Sequence, residues 1–117
     1  MSTKQMEHLF VYGTLAPNQS NAHILAPING TWQSASVRGK LYPNGIGKSL
    51  GYPALEPSFS QTEGDVIQGL VFSSDALSEH WQRIDDFEGD GYQRILVDVT
   101  LATGEILTTF VYAFLND

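Results

Sequence analysis

The chain has 117 residues, 42% of them hydrophobic, and no cysteine. That bounds it to one globular domain, residues 1–117, with a single modest core, and excludes disulfides, thiolate nucleophiles and thiolate metal sites. Thirteen acids against six bases give a formal charge of -7, the wrong sign for a nucleic acid or an anionic membrane surface.

The longest apolar runs are too short to span a bilayer. Met1 to Glu7 is polar and lacks the apolar stretch of a signal peptide, so a cytoplasmic location is expected. His8 to Tyr12 reads as a first strand, broken by Gly13 and Pro17. Ser20 to Leu25 reads as a short helix stopped before Pro27. Thr31 to Tyr42 predicts one bent strand or a pair, with Trp32, Val37, Leu41 and Tyr42 as core candidates. Pro43 to Tyr52 is a Gly-rich loop, Ala54-Leu55 a short strand, and Pro57 to Gly64 a polar loop. Val66 to Phe72 predicts a strand, after which Ser73 or Ser74 can cap a helix.

That helix is predicted over Ser74 to Asp86. Leu77, Trp81 and Ile84 fall at i, i+4 and i+7 and share one face. Beyond it, Ile95, Val97, Val99 and Leu101 alternate with Leu96, Asp98 and Thr100, a half-buried strand. Thr103-Gly104 makes a hairpin turn. Ile106 to Phe114 returns, with Phe110 and Tyr112 on one face and Val111 on the other. About six strands and one clear helix, without repeats or linkers, fit an α+β domain built on a small barrel or strongly curved sheet, because closure hides strand edges.

Two chemical motifs fail on inspection. Asp86 to Gly91 imitates the start of a calcium loop, but the position of the bidentate acid holds Val97. Gly47-Lys48-Ser49 imitates the end of a phosphate-binding loop, but Pro53 follows where a helix should open. His8, His23 and His80 have no ligand spacing, so no metal is expected.

Two other segments carry chemistry. In Tyr12-Gly13-Thr14-Leu15, glycine permits a sharp turn and a close approach of a ligand to the main chain, and successive N–H groups can hold an anion such as a carboxylate. A plain strand-to-loop turn is the alternative. Glu88 lies eleven residues after Leu77, nearly the same azimuth on a helix. If the helix reaches it, an acid continues an apolar stripe near the negative end of the helix dipole. Both effects raise a carboxyl pKa towards the range of a proton shuttle. If Gly89 stops the helix earlier, Glu88 is one more solvated acid in a run from Asp75 to Asp90.

Taken in order, Tyr12-Gly13-Thr14-Leu15, Gly39-Lys40-Leu41-Tyr42, Gly51-Tyr52-Pro53-Ala54-Leu55, Val66 to Val71, Ile84-Asp85-Asp86-Phe87-Glu88-Gly89, Tyr92-Gln93-Arg94 and Val111-Tyr112 resemble the γ-glutamylcyclotransferase-like family, in its short AIG2-like and γ-glutamylamine cyclotransferase branch. The resemblance covers nearly the whole chain. It implies a small mixed β-barrel with about six strands, flanking helices and a polar-lined cavity. It also implies conversion of a small γ-glutamyl substrate to 5-oxoproline with release of an amine or amino acid, without a cofactor. By the same resemblance Glu88 is the catalytic acid/base, and Tyr12, Gly13, Thr14 and Leu15 form the substrate-binding turn. Tyr112 stands where the family has a late tyrosine able to face the cavity. Arg94 is expected to pair with Asp85 or Asp86 as a structural ion pair. Two other functions fit the same residues: a non-catalytic module binding a small carboxylate, and an interaction protein meeting a basic partner through the Asp75–Asp90 acids. Neither the leaving group nor the oligomeric state follows from the sequence.

Overall fold

In chain order the elements are β1 (Glu7–Val11), a 3-10 turn (Ala22–Ile24), β2 (Thr31–Tyr42), β3 (Ala54–Pro57), β4 (Asp65–Ser74), a second 3-10 turn (Leu77–Glu79), α1 (Trp81–Glu88), β5 (Gln93–Leu101) and β6 (Ile106–Ala113). They are those of a computed structural model, which describes residues 6–12, 22–42, 54–58, 64–88 and 92–113.

The strands form one mixed sheet in the order β3-β2-β4-β1-β6-β5, and β2 also pairs with β5. That last pairing closes five strands into a barrel and leaves β3 as an additional strand on β2. Closure rests on the length of β2, a strand of 12 residues. One of its edges is divided: Ala35 and Ser36 face Leu101 and Thr100 of β5, while residues 39–42 face β3. The other edge pairs with β4 from Thr31 to Gly39. All neighbours are antiparallel except β1 and β6, which run parallel with Phe10 opposite Val111. Gly69 of β4 is required by close approach: a Cβ there would come 2.5 Å from both the Phe10 ring and the Val11 carbonyl oxygen.

Strands β1, β4 and β6 bury residues on both faces. The interior holds Phe10, Val37, Leu55, Val71, Val97, Val99 and Val111, drawn only from strands. A second core lies outside the barrel, where Leu9, Val11, Phe72 and Tyr112 meet Leu77, Trp81 and Ile84 from the helical segment and Leu25 and Ile28 from just after the first 3-10 turn. Leu9-Phe10-Val11 therefore reads as an uninterrupted apolar run, since a strand covered on both sides has no polar face. The alternation in β5 is clean because Leu96 and Asp98 are exposed while Val97 and Val99 are buried. The β5–β6 hairpin turns through residues 102–104. Gly104 stands at φ 94° and donates its N–H to the Leu101 carbonyl at 2.8 Å, the usual use of glycine at the third position of a three-residue loop.

The helix predicted over Ser74 to Asp86 is corrected. β4 runs on through Ser73 and Ser74, which pair with His8 and Glu7 of β1. The Ser74 hydroxyl donates to the Asn29 carbonyl at 2.5 Å and accepts the Ala76 N–H at 3.0 Å. Pairing with β1 overrides the local capping signal of the serines, and α1 begins only at Trp81. Leu77 thus belongs to a separate turn, yet Leu77, Trp81 and Ile84 are all buried as expected. Trp32, Leu41 and Tyr42 are only half-buried, and Trp32 packs on Phe72 with ring centroids 4.7 Å apart.

Candidate active site

α1 is pinned to the barrel at both ends. At its start the Trp81 indole N–H donates to Glu7 Oε2 of β1 at 3.0 Å, and Ile84, fully buried, seats its middle. Near its end Asp85 is the acceptor for two strands. Tyr112 of β6 donates its phenol to Asp85 Oδ1 at 2.5 Å. Arg94 of β5 donates Nε to the same oxygen at 3.0 Å and Nη2 to Oδ2 at 3.3 Å. The Arg94 guanidinium is also stacked, 4.3 Å from the Trp81 ring centroid and 4.9 Å from that of Phe110. An exposed ion pair contributes little. This one is bidentate and partly sheltered by two rings, and both features strengthen it.

The acids make that pairing necessary. α1 carries no basic residue in its last turn, while Asp85, Asp86 and Glu88 all lie there, against the negative end of the helix dipole. Arg94 supplies from another element the positive charge that the last turn of the helix lacks. Asp86 accepts from Gln82 Nε2 of the same helix, at 3.0 Å and exposed.

Tyr12 directly follows β1. Its hydroxyl donates to the Tyr112 carbonyl at 2.6 Å and accepts the Leu55 N–H at 3.2 Å, joining the ends of β1, β6 and β3. Its ring packs at the margin of the barrel interior. Because β1 and β6 are parallel and Arg94 is paired with Tyr112, the exit of β1, the exit of β6 and the entry of β5 share one end of the barrel. Gln93 follows Glu88 by five positions, so the end of α1 is within about 18 Å of that same end at full chain extension.

The predicted site residues divide accordingly. Tyr12 and Tyr112 are brought together, through the hydroxyl of one and the carbonyl of the other. Glu88 is the last residue of α1, so the helix does reach it, four positions after Ile84; its side chain lies outside the described residues. Gly13, Thr14 and Leu15, expected from the sequence to bind substrate, and Gly89 also lie outside them. The expected pairing of Arg94 is with Asp85. The bond from Tyr112 to Asp85, across 27 positions, and the stacking of Arg94 were not foreseen, and no spacing rule carries that signal.

At the opposite margin of β1, His8 Nδ1 and Ser73 Oγ are 2.6 Å apart. Burial holds the His8 imidazole below its ordinary value, with the Glu7 charge pulling the other way. A polar cavity of about 220 Å³ lies at the β2–β5 seam between Ser36, Arg38, Asp98 and Thr100; it shares no residue with the Tyr12, Tyr112 and Asp85 cluster.

The sequence model of the family described as gamma-glutamyl cyclotransferase, AIG2-like, matches residues 9–117. Among solved structures, YkqA from Bacillus subtilis is 29% identical, with a TM-score of 0.68, over 96% of this chain and 36% of its own. An Arabidopsis thaliana protein determined in solution is 25% identical, with a TM-score of 0.71, over 97% of this chain and 65% of its own. An AIG2-like protein from Mus musculus is 26% identical, with a TM-score of 0.63, over 93% of this chain and 77% of its own. The chain thus spans about a third of YkqA and just under two thirds of the Arabidopsis protein. No curated protein matches it in sequence. Among the described residues no helix is long and apolar enough to cross a membrane. With a match that takes in nearly every residue from β1 to the C-terminus, on a closed mixed barrel of the same fold as these relatives, the chain belongs to the gamma-glutamyl cyclotransferase, AIG2-like family.

Proposed function

We infer that the protein is a cyclotransferase, with residues 1–117 acting as one domain in the cytoplasm, that releases 5-oxoproline and a free amine or amino acid from a small γ-glutamyl substrate. The observation that carries this is the family match over residues 9–117, which takes in the Tyr12-Gly13-Thr14-Leu15 motif and a Glu88 at the end of α1. Family membership alone would give the fold without the chemistry; the retained carboxylate favours turnover over simple binding.

The reaction asks little of a protein. The Glu88 carboxylate takes a proton from the substrate's α-ammonium, and the freed nitrogen attacks the substrate's own γ-carbonyl carbon, closing a five-membered lactam. The bond from that carbon to the leaving nitrogen breaks as Glu88 returns the proton to it. One carboxylate serves as base and then as acid. Backbone N–H groups of Gly13, Thr14 and Leu15 hold the α-carboxylate, so that the chain folds back on itself in an attacking geometry. Tyr112 supports the site by accepting the Tyr12 hydroxyl at its carbonyl, with its phenol committed to Asp85.

Incubating the protein with a panel of γ-glutamyl dipeptides and γ-glutamylamines, and measuring 5-oxoproline, tests this directly. Release by wild type and its loss in Glu88→Gln support the enzyme. Binding of such compounds without turnover would assign the protein as a carboxylate-binding module of the same fold. Neither binding nor release would leave the family as a guide to fold alone.

A further inference from the structure

Three acids crowd the end of α1, and one of them, Asp85, is held by the barrel. Asp85 Oδ1 receives the Tyr112 phenol at 2.5 Å and Arg94 Nε at 3.0 Å, while Oδ2 receives Arg94 Nη2 at 3.3 Å. The two donors come from adjacent, directly paired positions of β5 and β6. Tyr112 is buried, and Arg94 is held over Trp81, the first residue of the same helix. The grip therefore fixes both the height and the rotation of α1 on the barrel. Tyr112 is engaged at both ends, since its carbonyl accepts the Tyr12 hydroxyl. Two hydrogen bonds in series thus connect the exit of β1, where the substrate turn begins, to the last turn of the helix.

We propose that Asp85 is a positioning residue for the cyclisation: gripped by Arg94 and Tyr112, it fixes the last turn of α1, and with it the Glu88 backbone, against the barrel end where Tyr12 begins the substrate turn. The inference rests on the cyclotransferase function given above. Residues three apart on a helix are neighbours, so the Asp85 carboxylate and its Arg94 partner also set the charge felt at position 88. Cutting the grip allows the acid/base to drift, and a displacement on the order of 1 Å is enough to cost about 10²-fold in rate.

The test compares wild type, Asp85→Asn, Tyr112→Phe, the double variant and Asp86→Asn on the substrate that gives 5-oxoproline, with thermal melts to establish folding. Asp85→Asn keeps an acceptor for Tyr112 but loses the charge that Arg94 needs. It is expected to lower kcat about 10- to 100-fold with KM changed less than threefold. The acid limb of its pH profile moves to lower pH, because an anion near position 88 is gone while the Arg94 cation remains. Tyr112→Phe removes only the phenol bond and lowers kcat less. The double variant is no worse than the sum of the two, since both act through one carboxylate. Asp86→Asn removes the same charge one residue on, and its kcat is unchanged. A folded Asp85→Asn with kcat within twofold of wild type and an unmoved acid limb overturns the proposal, as does an equal loss in Asp86→Asn. If wild type releases no 5-oxoproline from any substrate, the cyclotransferase function falls, and the grip is judged by hydrogen exchange. Amides of residues 84–88 then exchange at least tenfold faster in Asp85→Asn, with β1 and β6 unchanged; equal exchange overturns the grip as well.

Discussion

The Tyr12 hydroxyl donates to the main-chain carbonyl of Tyr112 at 2.6 Å, across 100 positions of sequence. The contact joins the first barrel strand to the last at the end where they run parallel, and the same oxygen accepts the Leu55 N–H. A side chain that the sequence marks as part of a ligand turn thus spends its hydroxyl on the backbone of two other strands. It contributes to the proposed site by fixing where the turn begins.

Tyr12→Phe should therefore act on stability before it acts on any ligand. The Tyr112 carbonyl and the Leu55 N–H each lose a partner in a part-buried setting. Each lost hydrogen bond costs about 0.5–1.5 kcal/mol. Urea unfolding is expected to show a midpoint lowered to match, with an unchanged slope.

Glu88→Gln should spare fold and binding but remove the base. A proton shuttle contributes about 10²- to 10⁴-fold, so kcat for 5-oxoproline release should fall by that factor. The dissociation constant of a γ-glutamyl compound, measured calorimetrically, should change only a few-fold, since backbone donors do the holding. EDTA should leave the rate unchanged, because an intramolecular aminolysis needs only a proton carrier.

Arg94→Lys keeps the charge and loses the geometry. A lysine cannot match both Asp85 oxygens in a planar fork or offer a planar cation to the Trp81 and Phe110 rings. Because the pair is partly exposed, at 25% for Arg94 and 39% for Asp85, the effect is modest, about 1 kcal/mol or less. Thermal unfolding in low and high salt measures it; the difference from wild type should shrink as salt rises.

Acidification should weaken the fold through His8. Its pKa is lowered on folding, chiefly by burial. The unfolded chain therefore binds more protons than the native one in the window just below the ordinary value of about 6.5. Stability is complete above that window and declines as pH falls through it. His8→Gln, which keeps a polar partner for Ser73, should flatten this part of the stability–pH curve. An unchanged slope would remove His8 as its source.

Which parts of this molecule were legible in one dimension follows from how each is stabilised. β5 was plain because one of its faces is wet: Val97 and Val99 are buried while Leu96 and Asp98 are exposed, and period-two alternation records that directly. The hairpin at Gly104 and the burial of Leu77, Trp81 and Ile84 were equally local. The start of α1 was misplaced because Ser73 and Ser74 carry a helix-capping signal, yet both are claimed by pairing with β1, more than 60 positions away.

The order of short motifs from Tyr12 to Tyr112 carried the resemblance to the family and, through it, pointed to Glu88 as the acid to examine; the spacing of apolar residues pointed to the α+β barrel, because turns, alternation and helical stripes are set by neighbours along the chain. Only the tertiary structure decided that β2 closes on β5 through Ala35 and Ser36, that Tyr112 faces the helix rather than the barrel interior, and that Asp85, not Asp86, receives Arg94. Those outcomes depend on which surfaces meet once a strand with two apolar faces is wrapped into a barrel. At that point a phenol and a guanidinium from paired positions on adjacent strands converge on one carboxylate, and no local pattern encodes that meeting.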